Sequence, residues 1–405
     1  MNKTMTKAAA VTGALALLLS GCSSNADSTG EAQLTVDITD DACTVSAAEA
    51  PSGTITFTLN NKGTEKNEFE ILSEDGLRIV SEKENLAPGQ SGVTFAVALQ
   101  PGTYYTACKT GMVGPLVGKA EFTVTDSGAK VEVSEAEMNA AEEYANYVRS
   151  EVDALMGETE AFAAAYKAGD TAQAKALYAK TRMHYERIEP VAESLGDLDP
   201  ALDLREPDLD ENGQWDTMTG EKADWSGWHA IEKDLWRPDG FEGWDDAKRD
   251  ALADKLVADT KELSAYVNNE AEDKFIISLH DISNGAITLM DEVANSKVTG
   301  EEEFFSHTDF YDFAANVEGA KKAYEIVKPI LEEKPDGAAM IEELDASFAQ
   351  VEEDLSAYKQ GDGYVDYTLS EEEADKLMTN VIVLTKNLSD LTQTLLGEVR
   401  PAEEE

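Results

Sequence analysis

The sequence is poor in basic residues, and this shortage excludes one class of function. Only 33 Lys and Arg stand against 81 Asp and Glu, which leaves a formal net charge of −48 over 405 residues. Such a chain repels nucleic acid and anionic lipid headgroups, so nucleic-acid binding is excluded, whereas cations are attracted. Charge of this kind is most often a solubilising surface, and collection of cations is the alternative.

Histidine is also scarce. The four histidines are His184, His229, His280 and His307, and none lies in residues 32–127. A blue-copper centre requires two histidines and a cysteine as ligands. The sequence therefore excludes an ordinary electron-transfer copper site from this segment.

Long apolar runs are missing after the first 22 residues, so the sequence predicts no transmembrane helix there. The N-terminus itself has Lys3 and Lys7 followed by a short apolar stretch at 8–19. The next residues, Leu-Ser-Gly-Cys at 19–22, resemble the lipobox of bacterial lipoproteins. We expect a signal peptide at 1–21, a lipid-anchored Cys22 on the extracytoplasmic face of the cell membrane (periplasm or cell surface), and a polar tether at 22–31.

Two regions of different character follow the tether. Alternating apolar and polar residues separated by Gly, Pro and Asn turns predict an all-β sandwich over 32–127. From residue 134 the pattern becomes helical, beginning at a capping box formed by Ser134 and Glu137. We predict a helical bundle over 134–400, interrupted by a long acidic loop at 200–224, and an acidic tail at 401–405.

The two cysteines left after lipidation lie in the β region, in a compartment where disulfides persist. Cys43 and Cys108 can form a disulfide that closes a 65-residue separation. Alternatively they form a second metal site with Glu68 and Glu70, whose side chains share one face of a strand. In the reduced state the thiolates would suit copper, with Met112 as a further ligand. The residues leave both alternatives open.

The helical region carries a second candidate site. His229 and Glu232 lie one helical turn apart on the same face. The neighbouring residues Trp225, Trp228 and Trp236 predict that this helix is buried. Because a buried imidazole and carboxylate need partners, the pair requires either a structural hydrogen bond or a metal ion.

Glu186 and Glu189 have the same one-turn spacing. They are interpreted either as ligands or as a solvated face paired with Arg182 and Arg187. Farther along the chain, residues 306–309 read as a helix start, with Thr308 or Asp309 as the cap.

Several blocks of the chain resemble the EfeO family. They include a His-x-x-Glu motif at 227–232 and the stretch that contains Glu82. The blocks lie at 82–89, 176–178, 184–190, 196–200, 227–232, 297–302 and 306–309. The resemblance covers residues 32–398. It implies a cupredoxin-like domain followed by an imelysin-like (peptidase M75) domain.

The resemblance also implies a function. EfeO is the extracytoplasmic iron-binding component of the EfeUOB importer, which implies an iron permease and a haem peroxidase as partners. Iron is the expected metal, with copper or zinc as alternatives and a copper-assisted ferroxidase role for the β domain. Anchoring through Cys22 departs from the many relatives that are free periplasmic proteins.

The resemblance implies a site as well. His229 and Glu232 correspond to the His-x-x-Glu motif, and Glu186 and Glu189 belong to a cleft lined by carboxylates. Asp203 and Glu292 occupy places that resemble its remaining acidic positions. Iron prefers carboxylate oxygens and tolerates imidazole, and helix bundles build such sites from inward-facing side chains.

Two other functions remain as alternatives to iron binding. The first is a metal-dependent polysaccharide-binding protein. The second is a metallopeptidase, although the chain lacks the His-Glu-x-x-His motif of zinc proteases. We therefore expect a binding protein rather than an enzyme.

Overall fold

The computed structural model describes residues 32–396, with gaps at 75, 77–78, 112–115, 128–132, 197, 210–213, 217–221, 272–274, 296, 298–299 and 301. The signal peptide, Cys22, the tether, Met112 and the tail lie outside the described residues. Among the helices that are described, none combines the length and the apolar character needed to cross a membrane.

The N-terminal domain is a sandwich of two β-sheets, as the alternating sequence predicts. Its strands are β1 (Ala32–Thr39), β2 (Ala42–Val45), β3 (Glu49–Pro51), β4 (Gly53–Asn61), β5 (Asn67–Leu72), β6 (Ile79–Leu86), β7 (Ser91–Leu99), β8 (Gly102–Thr110) and β9 (Val117–Thr125). One sheet has the strand order β2-β1-β4-β7 and the other β3-β9-β8-β5-β6. Most neighbouring strands are antiparallel, but β1 pairs with β4 and β3 pairs with β9 in parallel.

Aromatic side chains fill the space between the two sheets. Phe57 and Phe95 from one sheet meet Phe69 and Phe122 from the other, with ring centroids 5.2–6.2 Å apart. These rings are buried, and burial of apolar surface of this size is the main stabilising contribution to a small sandwich. Every second residue of β4 and β5 contributes to this core, which is why the alternation was readable.

The C-terminal domain is helical. Its helices are α1 (Glu135–Lys167), α2 (Thr171–Glu186), α3 (Leu198–Asp203), α4 (Trp228–Trp236), α5 (Asp246–Val267), α6 (Leu279–Asn295), α7 (Asp309–Glu332), α8 (Gly337–Ser356) and α9 (Glu371–Leu396). The predicted capping box is confirmed: Ser134 Oγ accepts the Glu137 N–H, and the Glu137 carboxylate accepts the Ser134 N–H. These two hydrogen bonds satisfy two backbone N–H donors at the start of a 33-residue helix.

The acidic segment 200–224 is more ordered than the loop that we expected. Its described parts contain the end of α3, a 3-10 helix at Glu206–Asp208 and a two-stranded hairpin, β10 (Gln214–Asp216) with β11 (Lys222–Asp224). The apolar residues of α3 are few, but Leu202 is fully buried and anchors the segment to the bundle. Elements this short carry too little periodicity to be recognised from sequence.

The two domains contact each other through the edge strand β6. It packs against α6 and against the 3-10 helix Glu189–Leu195 that follows α2. The Asn284 side-chain amide donates to Ser81 Oγ at 3.0 Å across this boundary. The β domain therefore lies beside the part of the helical domain that carries Glu189.

Candidate metal centre

A largely buried cluster of charged and polar side chains lies in the helical domain where six parts of the fold converge. Helix α2 contributes Arg182 and Glu186, and α4 contributes His229 and Glu232. The other members come from the 3-10 helix after α2, from α3, from the connection between α6 and α7, and from α7 itself: Glu189, Asp203, Lys297, Glu302, Glu303, Asp309, Asp312 and Asn316.

A glycine brings α3 and α4 together. Gly227 precedes α4 with a φ of +84°, and a Cβ at this position would collide with the carbonyl group of Leu202 in α3. Only glycine combines this backbone conformation with such a close approach. The contact places Asp203, the last residue of α3, beside His229 at the start of α4.

The His229 imidazole is 1% exposed, and its two nitrogens have different surroundings. Nδ1 lies 3.1 Å from Glu232 Oε2. Nε2 lies 3.5 Å from Asp203 Oδ1 and 4.0 Å from Glu302 Oε1. Within the described residues, buried Nε2 has no hydrogen-bond partner. Burial lowers the pKa of His229, but the adjacent carboxylates of Asp203 and Glu232 outweigh it and raise that pKa to about 9.

Glu232 is held by both of its carboxylate oxygens. Oε2 contacts His229 Nδ1, and Oε1 accepts the backbone N–H groups of Phe305 and Ser306 at 2.8 and 2.6 Å. Burial raises the pKa of Glu232, whereas these hydrogen bonds lower it, and the net effect is a pKa below the usual range. Glu232 therefore fixes the orientation of the imidazole and ties it to the 302–308 segment.

Arg182 is the central cation of the cluster and is completely buried. Its guanidinium contacts carboxylates from four parts of the fold, those of Glu186, Asp203, Glu302, Glu303 and Asp312. Burial raises the pKa of Asp203, but Arg182 and His229 hold it far below its usual value. The Asp203 carboxylate is thus ionised although its side chain is only 11% exposed.

Lys297 is a second internal cation. Its Nζ lies 2.6 and 2.7 Å from the two carboxylate oxygens of Glu189 and 3.2 Å from Glu186 Oε2. Glu302 Oε1 lies 3.7 Å away. The Asn316 amide donates to the same two glutamates, at 2.9 Å to Glu186 and 2.6 Å to Glu189. Two carboxylates are thereby held side by side.

Deeper in the cluster, burial dominates the charge state of the carboxyl groups. It raises the pKa of Glu303 and of Asp312 well above the usual range, even though both lie beside Arg182. It also raises the pKa of Asp309 to about 6. The Ser306 hydroxyl donates to Glu303 at 2.7 Å. Burial therefore favours the protonated form of Glu303 and Asp312, whereas Arg182 and His229 keep Asp203 ionised.

Among the described residues of the helical domain, two sets of side chains have the spacing of a metal site. Asp203, His229 and Glu302 form one, and His229, Glu232 and Glu303 form the other, with one ligand atom per residue and these atoms within 4.8 Å of one another. His229 belongs to both. In the first set the imidazole offers its unpartnered nitrogen, and in the second it offers the nitrogen that already contacts Glu232.

The structure brings most of the residues predicted from sequence into one network. Glu186 and Glu189 connect through Lys297 and Glu302 to His229, and Asp203 lies beside that imidazole. Glu292 lies on α6, but its side chain is outside the described part of the structure.

The solvated-face interpretation of Glu186 is wrong, because the residue is completely buried. Arg182 is nevertheless its partner, as that interpretation had it. Arg187 contacts Glu151 and Glu318 instead.

Sequence reasoning missed the contributions of the 297–303 segment and of α7. Glu302 ends a block recognised by resemblance and Glu303 directly follows it, yet their neighbours show no helical spacing that would mark them as ligands. The predicted helix start is confirmed. Thr308 is the N-cap of α7 without a side-chain cap bond, and Asp309 Oδ1 accepts the N–H of Glu303.

The β domain contains a second, smaller acidic cluster. The carboxylates of Glu68, Glu70 and Glu82 have metal-site spacing, and Lys109 Nζ lies 2.8 Å from Glu68 and 3.0 Å from Glu70. Burial raises the pKa of Glu68 well above its usual value, against the lowering effect of Lys109.

The structure does not bring the two cysteines into this acidic cluster. Cys43 on β2 and Cys108 on β8 are joined by a disulfide that links the two sheets. In the register of β5 and β8, Cys108 lies opposite Phe69, and both side chains are in the core. The neighbouring Glu68 lies opposite Lys109, and these side chains are on the other face of the sheet. Since side chains alternate along a strand, a mixed thiolate–carboxylate site does not form in this arrangement.

Comparisons with known proteins agree with both domains. The imelysin family (peptidase M75) matches residues 140–395, and a cupredoxin-like domain matches residues 11–119. The iron uptake system component EfeO of Escherichia coli O157:H7 is 35% identical over 366 residues, 90% of this chain and 91% of that protein. The protein of the same name from Yersinia pestis is 35% identical over 369 residues, with the same coverage. The sequence-based resemblance is thus confirmed, and the chain, which joins a cupredoxin-like domain to an imelysin domain, belongs to the EfeO family.

Proposed function

We propose that this chain is an extracytoplasmic iron-binding lipoprotein that captures iron in the helical domain and delivers it to a membrane permease. Relatives that match along nine-tenths of the chain are named iron uptake system components. The proposed capture site consists of Asp203, His229 and Glu302, with Glu186 and Glu189 beside it.

The observation that carries this proposal is the environment of His229 Nε2. A fully buried ring nitrogen without a hydrogen bond is costly, because desolvation is not compensated. This nitrogen faces two carboxylates at 3.5 and 4.0 Å, which is too far for good hydrogen bonds. A metal ion between the three groups would satisfy all of them.

The donor set favours iron. It contains several carboxylate oxygens and one imidazole, the combination that hard, highly charged cations prefer, and it offers no thiolate. Asp203 and Glu302 already have lowered pKa values, so both are ionised before a metal arrives. Glu186 and Glu189 can supply further oxygens through the same cleft.

Glu232 is proposed as a positioning residue rather than as a ligand. Its two oxygens are used by His229 Nδ1 and by two backbone N–H groups. Ligating histidines commonly use the second nitrogen in this way, which fixes the ring orientation and raises the basicity of the ligand. The His-x-x-Glu motif would then consist of one ligand and its support.

The location of the protein follows from its N-terminal sequence. Lipid attachment at Cys22 would keep the protein at the extracytoplasmic face of the membrane, where an iron permease and a haem-peroxidase partner would act. In this proposal the chain binds and transfers its cargo and has no catalytic role of its own. The β domain would take copper or zinc less readily, because burial raises the pKa of Glu68 and a carboxyl group must be ionised to bind the metal.

The test measures ferric and ferrous iron bound to purified protein by equilibrium dialysis against citrate, with metal analysis. His229→Gln and Asp203→Asn are expected to lower the affinity at least tenfold. His184→Gln is the matched control, because His184 also contacts a carboxylate, Glu151 at 2.7 Å, but lies outside the cluster. Equal iron binding by His229→Gln and the wild type would contradict the proposed site.

A separate variant tests the role of Glu232. Glu232→Gln keeps the shape of the side chain and can still accept from the backbone N–H groups. We expect a smaller loss of affinity than for Asp203→Asn, together with a shifted pH dependence of binding. A complete loss of binding would instead make Glu232 a direct ligand.

A further inference from the structure

The ammonium of Lys297 lies among carboxylates that could also bind a metal cation. Its ammonium is 1% exposed and is surrounded by the carboxylates of Glu189, Glu186 and Glu302, at 2.6, 3.2 and 3.7 Å. These are the oxygens that border the proposed iron site. An ammonium and a metal ion therefore compete for the same negative charge.

We propose that Lys297 is a built-in counter-cation that exchanges with iron: its ammonium neutralises the cleft when iron is absent and leaves the carboxylates when iron binds. This inference rests on the proposed function of the cleft. The exchange explains in addition how the iron-free site is stabilised and how the bound ion is released.

The pair of glutamates explains why a counter-cation is needed. Asn316 holds the carboxylates of Glu186 and Glu189 together by donating to both of them. Two carboxylates that are held by the same amide lie close together and repel each other unless a cation lies between them. Lys297 supplies that cation in the iron-free protein.

Glu302 links the counter-cation to the proposed iron site. Its Oε1 lies 3.7 Å from Lys297 Nζ and 4.0 Å from His229 Nε2. An iron ion bound by Glu302 and His229 would therefore lie close to the ammonium. The two cations would repel each other strongly in a buried, poorly screened site.

Arg182, the other internal cation, is less suited to leave. It is anchored in the middle of α2, is completely buried and contacts carboxylates on several sides. Lys297 lies in the connection between α6 and α7, and a lysine carries a compact charge on a flexible stem. Of the two, Lys297 is the residue whose charge can be withdrawn without breaking a helix.

The exchange has a functional consequence. Because Lys297 competes with iron, it weakens binding below what the carboxylates alone would give. When iron leaves, the Lys297 ammonium returns to Glu186 and Glu189 and replaces the positive charge of the ion. The carboxylates are therefore never left without a cation. Release of iron to a partner is easier from such a site than from one with no internal competitor.

The first test uses the wild-type chain and needs no variant. Lysines are acetylated briefly with an amine-reactive ester, with and without saturating ferric citrate, and each site is quantified by mass spectrometry. We expect the labelling of Lys297 to rise at least tenfold with iron. Lys328, a surface lysine 2.8 Å from Asp345, serves as the control and should not change. Equal protection of Lys297 in both states would overturn the inference.

The second test uses Lys297→Met, which keeps the stem and removes the charge. We expect ferric iron to bind about tenfold more tightly than to the wild type, and the rise in Tm on iron loading to be larger. Lys328→Met is the matched control and should bind iron like the wild type. Unchanged or weaker binding by Lys297→Met would overturn the inference, and if this variant fails to fold, the labelling result decides.

The outcomes separate this inference from the proposed function. Loss of iron binding in His229→Gln together with unchanged protection of Lys297 would retain the site and reject the exchange. Iron binding that does not depend on His229 or Asp203 would reject the site, and the exchange with it.

Discussion

The two domains each bury a group of carboxylates beside a lysine, but burial and neighbouring cations shift the pKa values of these carboxylates differently. In the β domain, burial raises the pKa of Glu68 well above its usual value. In the helical domain, the pKa values of Asp203, Glu232 and Glu302 are lowered. Burial thus prevails at Glu68 and at the inner carboxyl groups of the helical domain, whereas hydrogen bonds and neighbouring cations prevail at the carboxylates around His229.

The difference comes from the number of cations that each fold places among the carboxylates. The β-domain cluster has Lys109, which lies opposite Glu68 on a neighbouring strand. The helical cluster has Arg182 and Lys297 inside it, Arg205 at 3.1 Å from Glu302, and a protonated His229. An ionised carboxylate binds a metal without first losing a proton, so Asp203 and Glu302 are ready ligands at neutral pH, whereas the imidazole of His229 must release a proton before it can bind the metal.

Removal of the Arg182 guanidinium should have the largest effect on stability. Arg182→Met leaves several buried carboxylates without their partner, and we expect the free energy of unfolding of the helical domain to fall by about 5 kcal/mol. Lys109→Met should cost the β domain less, because burial already favours the protonated form of Glu68. Urea unfolding followed by circular dichroism measures both. Arg187→Met, whose side chain is 21% exposed, is the control and should cost at most about 1 kcal/mol. Similar losses for Arg182→Met and Arg187→Met would contradict the central role of Arg182.

The second prediction concerns a bond that only the β domain has. Replacing Cys43 and Cys108 together by Ala opens a disulfide with a sequence separation of 65. Loss of such a cross-link should lower the free energy of unfolding of the β domain by about 4 kcal/mol. Iron affinity at the helical site should stay the same, because neither sulfur contributes to it.

Thiol labelling provides the complementary measurement. The wild-type β domain within the whole chain should not react with a thiol reagent until it is reduced. Two reactive thiols in the native protein, protected by added copper, would instead make metal binding the main function of this cysteine pair.

The third prediction concerns His229, since the β domain contains no histidine. The pKa of His229 is raised from 6.5 to about 9, so its stabilising contribution is fully present below pH 6.5 and is lost as the pH rises through about 9. We expect the iron-free helical domain to lose about 3 kcal/mol of stability over this range.

Unfolding in urea at pH 6, 7.5 and 9.5 checks this dependence. His229→Gln should flatten the pH profile, whereas His184→Gln should leave it unchanged. A profile that stays the same in His229→Gln would assign the titration to another group.

The smallest expected effect is at the boundary between the domains. Asn284→Ala removes the amide that donates to Ser81, and a single hydrogen bond of this kind contributes about 1 kcal/mol. We expect a small loss of stability and no change in iron affinity. A change in iron affinity above threefold would show that the β domain influences the helical site through β6 and the 3-10 helix that carries Glu189.

Local patterns explain why much of the fold was predictable. Residues 54–59 of β4 alternate strictly between Thr and apolar residues, and Ser134 with Glu137 marks the start of α1, because these signals depend on neighbours in the chain. The His229 and Glu232 pair was readable for the same reason. Asp203 was reached only by resemblance. Nothing in the local sequence around Glu302, Asp312 or Asn316 marks them as members of the cluster, since their partners lie far away in the chain.

The sequence by itself determined the order of the two domains, the excess of negative charge and the residue types able to hold a cation. Tertiary structure alone decided which carboxylates meet. Gly227 lets α3 approach α4, and the connection between α6 and α7 inserts Lys297 and Glu302 among residues more than a hundred positions earlier. It also decided the charge of each group, because ionisation of a buried carboxyl depends on the solvent it has lost and on the cations that folding brings beside it.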